Sequence, residues 1–132
     1  MSRVFVDTSG WYAYIRADDP DHAPCKAAFE ACKARKLTSN FVFDELVTLV
    51  RLRTNHASAV RAGDMLRAAS DLEIIRVQPD DEDEAWKYFS RHRDKDFSFT
   101  DCTSFALMRR LGLDSALATD RHFAQAGFRL EP

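Results

Sequence analysis

Several residue types that would indicate common alternatives are scarce in this chain. Its 132 residues include three cysteines, Cys25, Cys32 and Cys102, and no CxxC pair, which argues against a disulfide framework and against a cysteine zinc site. The four glycines and four prolines predict short connections rather than flexible linkers. A formal net charge of −2 excludes an overall basic field for nucleic acid or an anionic membrane. Any polyanionic partner must therefore be held by local basic patches.

Long apolar runs are also missing. No uninterrupted apolar stretch is long enough to span a bilayer, and the first residues lead into a strand-like run without the basic leader and apolar segment of a signal peptide. We therefore expect a cytoplasmic protein with no membrane partner. Hydrophobic residues make up 45% of the chain, enough for one packed core, so we expect residues 1–132 to form a single domain.

Segments of strand and helix character alternate along the chain. We predict strands at residues 4–6, 37–39, 73–77, 116–118 and 128–130. Helices are predicted from residue 9 or 10 to 15, over 22–35, 41–53 and 57–69, from about 80 to 89, from 98 to 110 and over 120–126. Such alternation predicts an α/β fold, with a central and mostly parallel β-sheet flanked by helices on both faces.

Two acidic residues lie on helix faces that are otherwise mostly apolar. At helical spacing Glu45 shares a face with Leu49, and Asp101 shares one with Phe105. An ionised carboxylate that faces the interior is costly unless a hydrogen bond, a basic partner or a cation compensates it. A cap or a buried salt bridge explains one such acid as well as a functional site does, but two together favour a site.

Two further acids follow predicted strands directly. Asp7 ends VFVD, and Asp120 ends the strand-like LATD in the same manner. Functional groups gather beyond the carboxyl ends of strands in open α/β sheets, so adjacent strands would bring these acids together, with Glu45 and Asp101 added from helices. Four carboxylates in one pocket repel one another and require a cation. Oxygen ligands select Mg²⁺ or Mn²⁺, which activate water and stabilise a phosphoryl displacement.

These acids lie within motifs that resemble a known family. FVDTS at 5–9, DEL at 44–46, FSFTDCTSFALM at 97–108 and LATDRHFAQAGF at 117–128 are similar, in order and setting, to the acidic motifs of PIN-domain ribonucleases. The likeness is strongest to the VapC toxins of toxin–antitoxin modules, and it covers essentially the whole chain. It implies adjacent first and fourth strands, Mg²⁺- or Mn²⁺-dependent endonucleolytic cleavage of RNA, a homodimer, and inhibition by a cognate VapB-like antitoxin.

The resemblance also implies roles for individual residues. The expected catalytic and metal-binding acids are Asp7, Glu45, Asp101 and Asp120. Of these, Asp120 is expected to act directly, through water or at a second metal. Hydroxyl groups beside three of the acids can hold carboxylates or water, or can instead cap helices; they belong to Thr8, Thr100 and Thr119.

RNA phosphates would require a local basic rim in a chain with this net charge. The candidates flank the last two acids and are Arg91, Arg93, Lys95 and Arg121, although each also fits an ordinary solvated charge. His92 and His122 lie in the same loops, but a metal makes a histidine base unnecessary. Trp11 and Tyr12 can stack on exposed bases or pack the first helix.

Other classes of protein with a similar architecture fit less well. Asp7 is followed by Thr8, Ser9 and Gly10, which matches neither the paired acids of receiver domains nor the DxD of haloacid-dehalogenase-like phosphatases. Two alternatives stay open: a PIN nuclease of RNA processing or decay outside a toxin–antitoxin module, and a non-catalytic PIN domain that binds RNA or a partner. Retention of all four acids argues against the second.

Overall fold

Strands and helices alternate through the computed structural model, which describes residues 2–132. The strands are β1 (Arg3–Val6), β2 (Arg35–Ser39), β3 (Leu72–Ile75), β4 (Ser115–Leu117) and β5 (Arg129–Glu131). The helices are α1 (Thr8–Ile15), α2 (His22–Ala31), α3 (Asn40–Arg53), α4 (His56–Ala68), α5 (Pro79–Arg91), α6 (Phe99–Leu111) and α7 (His122–Gln125). None of the helices in this range is both long and apolar enough to cross a membrane.

The five strands form one sheet in the order β3-β2-β1-β4-β5, and every pairing within it is parallel. The chain adds β2 and β3 on one side of β1 and then returns to add β4 and β5 on the other. The strand order therefore reverses between β1 and β4, which is where α/β sheets open a crevice for ligands. The predicted α/β fold, with helices flanking a parallel sheet, is confirmed.

Apolar side chains from the sheet and the helices pack into one core. Val4, Phe5 and Val6 of β1 are almost completely buried because β1 lies at the centre of the sheet. The ring of Phe5 stacks with that of Phe123 at 6.4 Å between centroids, and Phe105 of α6 meets Phe123 edge-on at 4.9 Å. Helix α6 and the segment after β4 are thereby attached to the central strand.

Several element boundaries differ from the sequence predictions by one residue or more, including those of α2, β3 and α7. Helix α2 ends at Ala31 rather than continuing to residue 35, because Arg35 already pairs with Arg3 in the β1–β2 ladder. Strand β3 begins one residue earlier and ends two residues earlier than predicted. Helix α7 begins at His122, so Asp120 lies in the turn between β4 and α7 rather than within a helix. Tertiary pairing sets these limits, which local composition does not reveal.

One acid of the DDEDE run at residues 80–84 does more than place negative charge near the positive end of the α5 dipole. Asp81 accepts two hydrogen bonds from the guanidinium of Arg110 on α6, at 2.7 and 2.8 Å, and its side chain is only 3% exposed. A hydrogen bond from the backbone N–H of Gln78 completes a capping box. The Arg110 bonds lower the pKa of Asp81. This bidentate pair links α5 to α6 and fixes the start of α5.

Helix α1 packs directly on the backbone of β4, and Gly10 makes this approach possible. A Cβ atom at Gly10 would lie 2.3 Å from the carbonyl oxygen of Leu117 and 2.9 Å from its carbonyl carbon. Backbone atoms at such a distance cannot rotate out of the way as a flexible side chain can. Any side chain at this position must therefore separate α1 from the end of β4.

We predict that Gly10→Ala strongly destabilises the protein, by roughly 1–3 kcal/mol or more, because the added methyl group overpacks a backbone contact. Gly63→Ala is the matched control, since Gly63 is also buried in a helix. A Cβ atom at Gly63 would lie 3.4 Å from its nearest neighbour, Phe43 Cζ, which is an ordinary van der Waals distance. Alanine there favours the helix and should change the stability by no more than about 1 kcal/mol. Thermal unfolding followed by circular dichroism measures both, and equal melting temperatures would contradict the prediction.

Candidate active site

The carboxyl ends of β1 and β4 bring Asp7 and the turn that holds Asp120 together. Val6 pairs with Leu117 in the parallel ladder, and the backbone N–H of Asp7 donates to the carbonyl of Leu117 at 3.1 Å. Asp7 also caps the N-terminus of α1, because its Oδ2 accepts from the backbone N–H of Ser9 at 3.2 Å. The cap and the position at the sheet edge therefore coexist in one carboxylate.

Ser9 joins these two strand ends. Its hydroxyl donates to Asp7 Oδ2 at 2.8 Å and accepts from the backbone N–H groups of Thr119 and Asp120, at 3.1 and 3.3 Å. One side chain thus orients the carboxylate after β1 and the turn after β4. In the sequence Ser9 is only a possible start of α1, and its place in the FVDTS motif is the one signal of a further role.

Helix α3 adds Glu45 from the side. The hydroxyl of Thr8 donates to Glu45 Oε1 at 2.5 Å, and the hydroxyl of Thr100 also favours the ionised form of this carboxylate. Glu45 is half-buried, whereas its neighbour Asp44 is exposed on another side of the helix, in agreement with the predicted helix faces. Two of the three threonines singled out in the sequence therefore contact one of the predicted acids.

Helix α6 adds Asp101, which is 5% exposed. Its Oδ2 accepts from the backbone N–H of Ser98 at 3.1 Å, and its own N–H donates to the hydroxyl of Ser98 at 2.9 Å, so the two residues form a capping box at the start of α6. The same oxygen lies 2.7 Å from Nδ1 of His122. From the sequence, a helix cap and a functional site were alternative explanations for Asp101. In the structure the same carboxylate caps α6 and belongs to the candidate site.

His122 connects the acids of α6 and of the β4–α7 turn. Its Nδ1 lies 2.7 Å from Asp101 Oδ2 and 3.1 Å from Asp120 Oδ1. Since both neighbours are carboxylate oxygens, Nδ1 carries the hydrogen and donates it. The backbone N–H of His122 donates to Asp120 Oδ1 as well, at 2.8 Å. His122 therefore positions two carboxylates. This role differs from that of a general base, the function that its place in the loop suggests from sequence.

A pocket of about 400 Å³ opens between these elements. All four predicted acids line it, as do Thr8, Thr119, Ser9, Ser98, His122 and, farther along, Tyr12, Asp19, Leu49 and Arg53. The predicted phosphate-binding residues do not line it: Arg91, Arg93, Lys95 and Arg121 are exposed outside the pocket. These four basic residues are close to the acids in sequence, but their side chains are not part of the pocket lining.

Burial and mutual repulsion raise the pKa values of three acids in the pocket. The pKa of Asp7 rises to about 7, chiefly because the carboxyl is removed from water and secondarily because Asp101 is close. Desolvation is also the largest cause of the raised pKa values of Glu45 and Asp101. Hydrogen bonds from Ser9, Thr8 and Ser98 oppose these shifts without cancelling them. The pocket therefore favours any group that adds positive charge.

The donor set fits a divalent cation. Asp7 Oδ1 is buried without a hydrogen-bond partner among residues 2–132, although carboxylate oxygens in protein interiors are normally paired. One carboxylate oxygen each of Asp101 and Asp120 lie within 4.8 Å of one another, beside the His122 ring whose Nδ1 donates to them. Asp7 and Glu45 line the same pocket but are not part of that compact group. Carboxylate oxygens are the ligands that hard cations prefer.

A model of the PIN domain family matches residues 4–129. The chain belongs to the PIN-domain family. It is 38% identical, over 125 residues that cover 95% of either chain, to the 23S rRNA-specific endonuclease VapC20 of Mycobacterium tuberculosis. The crystal structure of that protein, described as a sarcin–ricin loop cleaving toxin, superposes with a TM-score of 0.92 at 37% identity, covering 98% of this chain and 99% of the other. This relative places the PIN domain described here in the VapC branch.

A more distant PIN-domain structure shares the fold. The DNA-bound VapBC of Salmonella typhimurium aligns with a TM-score of 0.72 at 13% identity, covering 99% of this chain and 98% of the other. The predicted family and fold are thus confirmed.

We predict that the metal-free protein loses stability as the pH rises from about 4 to 7. The folded protein holds the Asp7 proton up to a pKa of about 7, whereas the ordinary aspartate pKa of 3.8 applies to the unfolded chain. Between these values the folded state binds more protons, so the free energy of unfolding falls with rising pH, by on the order of a few kcal/mol, and levels off above pH 7.

Asp7→Asn removes this titration, so its pH profile should be flatter and the variant should be more stable than wild type at pH 8 in EDTA. Urea unfolding at a series of pH values measures the effect. Asp44→Asn, at an exposed position, serves as the control and should follow the wild-type profile. Parallel profiles for wild type and Asp7→Asn would show that the buried carboxyl has an ordinary pKa.

Proposed function

We propose that this PIN domain, acting as a single unit over residues 1–132, is a divalent-metal-dependent endoribonuclease and the toxin of a VapBC-type toxin–antitoxin pair that inhibits translation or growth. The observation that carries the proposal is the convergence of Asp7, Glu45, Asp101 and Asp120 on one pocket at the strand-order reversal. The buried, unpartnered Oδ1 of Asp7 and the raised pKa values support a site that requires a cation. Identity of 38% to an endonuclease supports the activity.

Asp7, Glu45 and Asp101 are proposed to hold Mg²⁺ or Mn²⁺, with Asp120 as a fourth acid. Such an ion supplies activation of water and stabilisation of the charge that develops on a phosphodiester during hydrolysis. The remaining polar side chains act on the acids themselves. Ser9 orients Asp7, Thr8 and Thr100 orient Glu45, and His122 holds Asp101 beside Asp120. Thr119 lines the pocket and contributes to the turn that Ser9 binds.

We infer that the substrate is structured ribosomal RNA, namely the sarcin–ricin loop of 23S rRNA. The VapC20 relative is described as specific for 23S rRNA and as cleaving that loop. Its similarity extends over almost the whole length of this chain, so it includes the segments that carry the pocket. A ribosomal substrate would place the protein in the cytoplasm.

A cognate VapB-like antitoxin and a homodimer are proposed as partners. Membership of the VapC branch supports the antitoxin. An exposed aromatic cluster supports self-association: Trp86 is 61% exposed and Phe89 39% exposed, and Phe99 of α6 packs against the two rings at 6.1 and 6.3 Å. Apolar surface of this kind is typical of protein interfaces.

We predict that Glu45→Gln lowers cleavage at least 100-fold, because it removes a charge from the proposed metal site. Asp44→Asn is a control one residue away on α3, exposed and outside the pocket, and should cleave like wild type. The measurement is cleavage of a labelled sarcin–ricin hairpin in Mg²⁺, in Mn²⁺ and in EDTA. A hairpin with a scrambled loop tests specificity. Cleavage by Glu45→Gln at the wild-type rate, or by wild type in EDTA, would refute the metal-dependent mechanism.

We also predict that Mg²⁺ raises the melting temperature of the wild-type protein, because a bound cation relieves repulsion among the carboxylates of the folded state. The shift should grow with the concentration of Mg²⁺ and should be much smaller in Asp101→Asn. Differential scanning fluorimetry at a fixed ionic strength separates binding from general screening. An equal shift in Asp101→Asn would show that the cation binds elsewhere.

A further inference from the structure

The wall of the pocket formed by α3 continues well beyond Glu45. Leu49 and Arg53 follow Glu45 at intervals of four residues, and all three line the pocket. Residues at this spacing lie on one face of a helix, so Arg53 is displaced from Glu45 by roughly 12 Å along the axis. The pocket therefore has an acidic end at the sheet and a basic end at the last turn of α3.

Arg53 is held in place by an aromatic ring. The centre of its guanidinium lies 5.1 Å from the centroid of the Tyr12 ring, and Tyr12 of α1 lines the same pocket. A cation–π contact of this kind restrains the side chain without using its N–H donors in a hydrogen bond. Tyr12 thereby preorganises a cation that a flexible surface arginine would not provide.

No ion pair involves Arg53 within residues 2–132, even though five carboxylates line this pocket, those of Asp19 and the four predicted acids. It is also the one lysine or arginine side chain of that range in the pocket lining. A guanidinium matches the two oxygens of a phosphate and stays charged at any relevant pH.

Helix stability by itself does not account for the placement of Arg53. Arg51 and Arg53 both lie in the last turn of α3, where a basic side chain favours the negative end of the helix dipole. Arg51, however, lines a separate and mainly apolar depression between α3 and α4. Both arginines thus stabilise the C-terminal end of α3, but only Arg53 lines the acidic pocket.

We propose that Arg53, positioned by Tyr12, binds a backbone phosphate of the RNA that flanks the cleaved bond. Arg53 is a substrate-positioning residue in this inference, which rests on the proposed nuclease function. A strand laid along α3 from Arg53 to Glu45 would meet positive charge at one end and the acids at the other. The phosphate contact offsets the repulsion between RNA and an acidic pocket, and it sets the register of the strand relative to Glu45.

The test compares Arg53→Ala with Arg51→Ala. Binding of a fluorescently labelled sarcin–ricin hairpin is measured by anisotropy in Mg²⁺, in an Asp101→Asn background in which the RNA stays intact. Arg53→Ala should raise Kd roughly tenfold or more, since it removes a charge-assisted hydrogen bond. It should also reduce the slope of log Kd against log salt concentration by about 0.7, the value for one lost single-strand phosphate contact. Arg51→Ala should change neither quantity.

Two further variants examine how Arg53 acts. Arg53→Lys keeps a point charge without the planar edge and should recover part of the affinity, with the wild-type salt slope. Tyr12→Ala releases the guanidinium and should weaken binding in the same direction as Arg53→Ala, but by less. In the cleavage-competent protein, Arg53→Ala should raise KM more than it lowers kcat.

Equal Kd values and salt slopes for Arg53→Ala and Arg51→Ala would overturn the proposal and leave Arg53 with its effect on the helix alone. The binding test and the cleavage test are separate measurements, so the phosphate contact and the nuclease proposal can fail independently of each other. If wild type does not cleave but RNA binding still depends on Arg53, the nuclease proposal fails and the phosphate contact stands. If wild type cleaves and neither KM nor Kd responds to Arg53→Ala, the phosphate contact alone is refuted.

Discussion

The parallel pairing of β1 with β4 is the contact on which the pocket depends. It aligns the end of the central strand with the turn after β4, so that Asp7 and Asp120 meet although 112 residues separate them in the chain. Gly10 allows α1 to pack on the backbone of β4, and the hydroxyl of Ser9 binds both strand ends. Helices α3 and α6 then supply their acids to a crevice that already exists because the strand order reverses there.

Bringing these carboxylates together has an electrostatic cost, and the protein offsets part of it with groups that also build the fold. Asp7 caps α1, and Asp101 completes the capping box of α6. Thr8 donates to Glu45, and His122 donates between Asp101 and Asp120. Desolvation still outweighs these bonds, as the raised pKa values of Asp7, Glu45 and Asp101 indicate. The negative charge of the pocket acids is therefore not fully compensated, which is typical of functional sites. In the structural pair of Asp81 and Arg110, by contrast, the two charges compensate each other.

Sequence reasoning located the acids because each leaves a local signal. Asp7 ends a strongly apolar strand, and Glu45 and Asp101 interrupt the apolar faces of helices. Signals of this kind were absent for Ser9 and His122, two of the groups that hold the acids. Ser9 and His122 act through contacts to residues that are distant in sequence or in a different element, and neither has an unusual local pattern. The predicted basic rim differs from the acids in this respect, because Arg91, Arg93, Lys95 and Arg121 are near the acids in sequence but do not line the pocket. Their contact with RNA phosphates stays a prediction.

Three features were predictable from the sequence alone: the alternation of strands and helices, the α/β class, and the positions of four acids at strand ends or on inward helix faces. Periodicity and capping are local properties, so they can be read from neighbouring residues. Three other features follow from tertiary packing: where α2 ends, which strand ends are adjacent, and which basic side chain lines the pocket. These outcomes depend on sheet register and on the direction of side chains across α1 and α3. Arg53 shows the difference: its sequence position suggests a helix terminus, and its place over Tyr12 in the acidic pocket follows from packing alone.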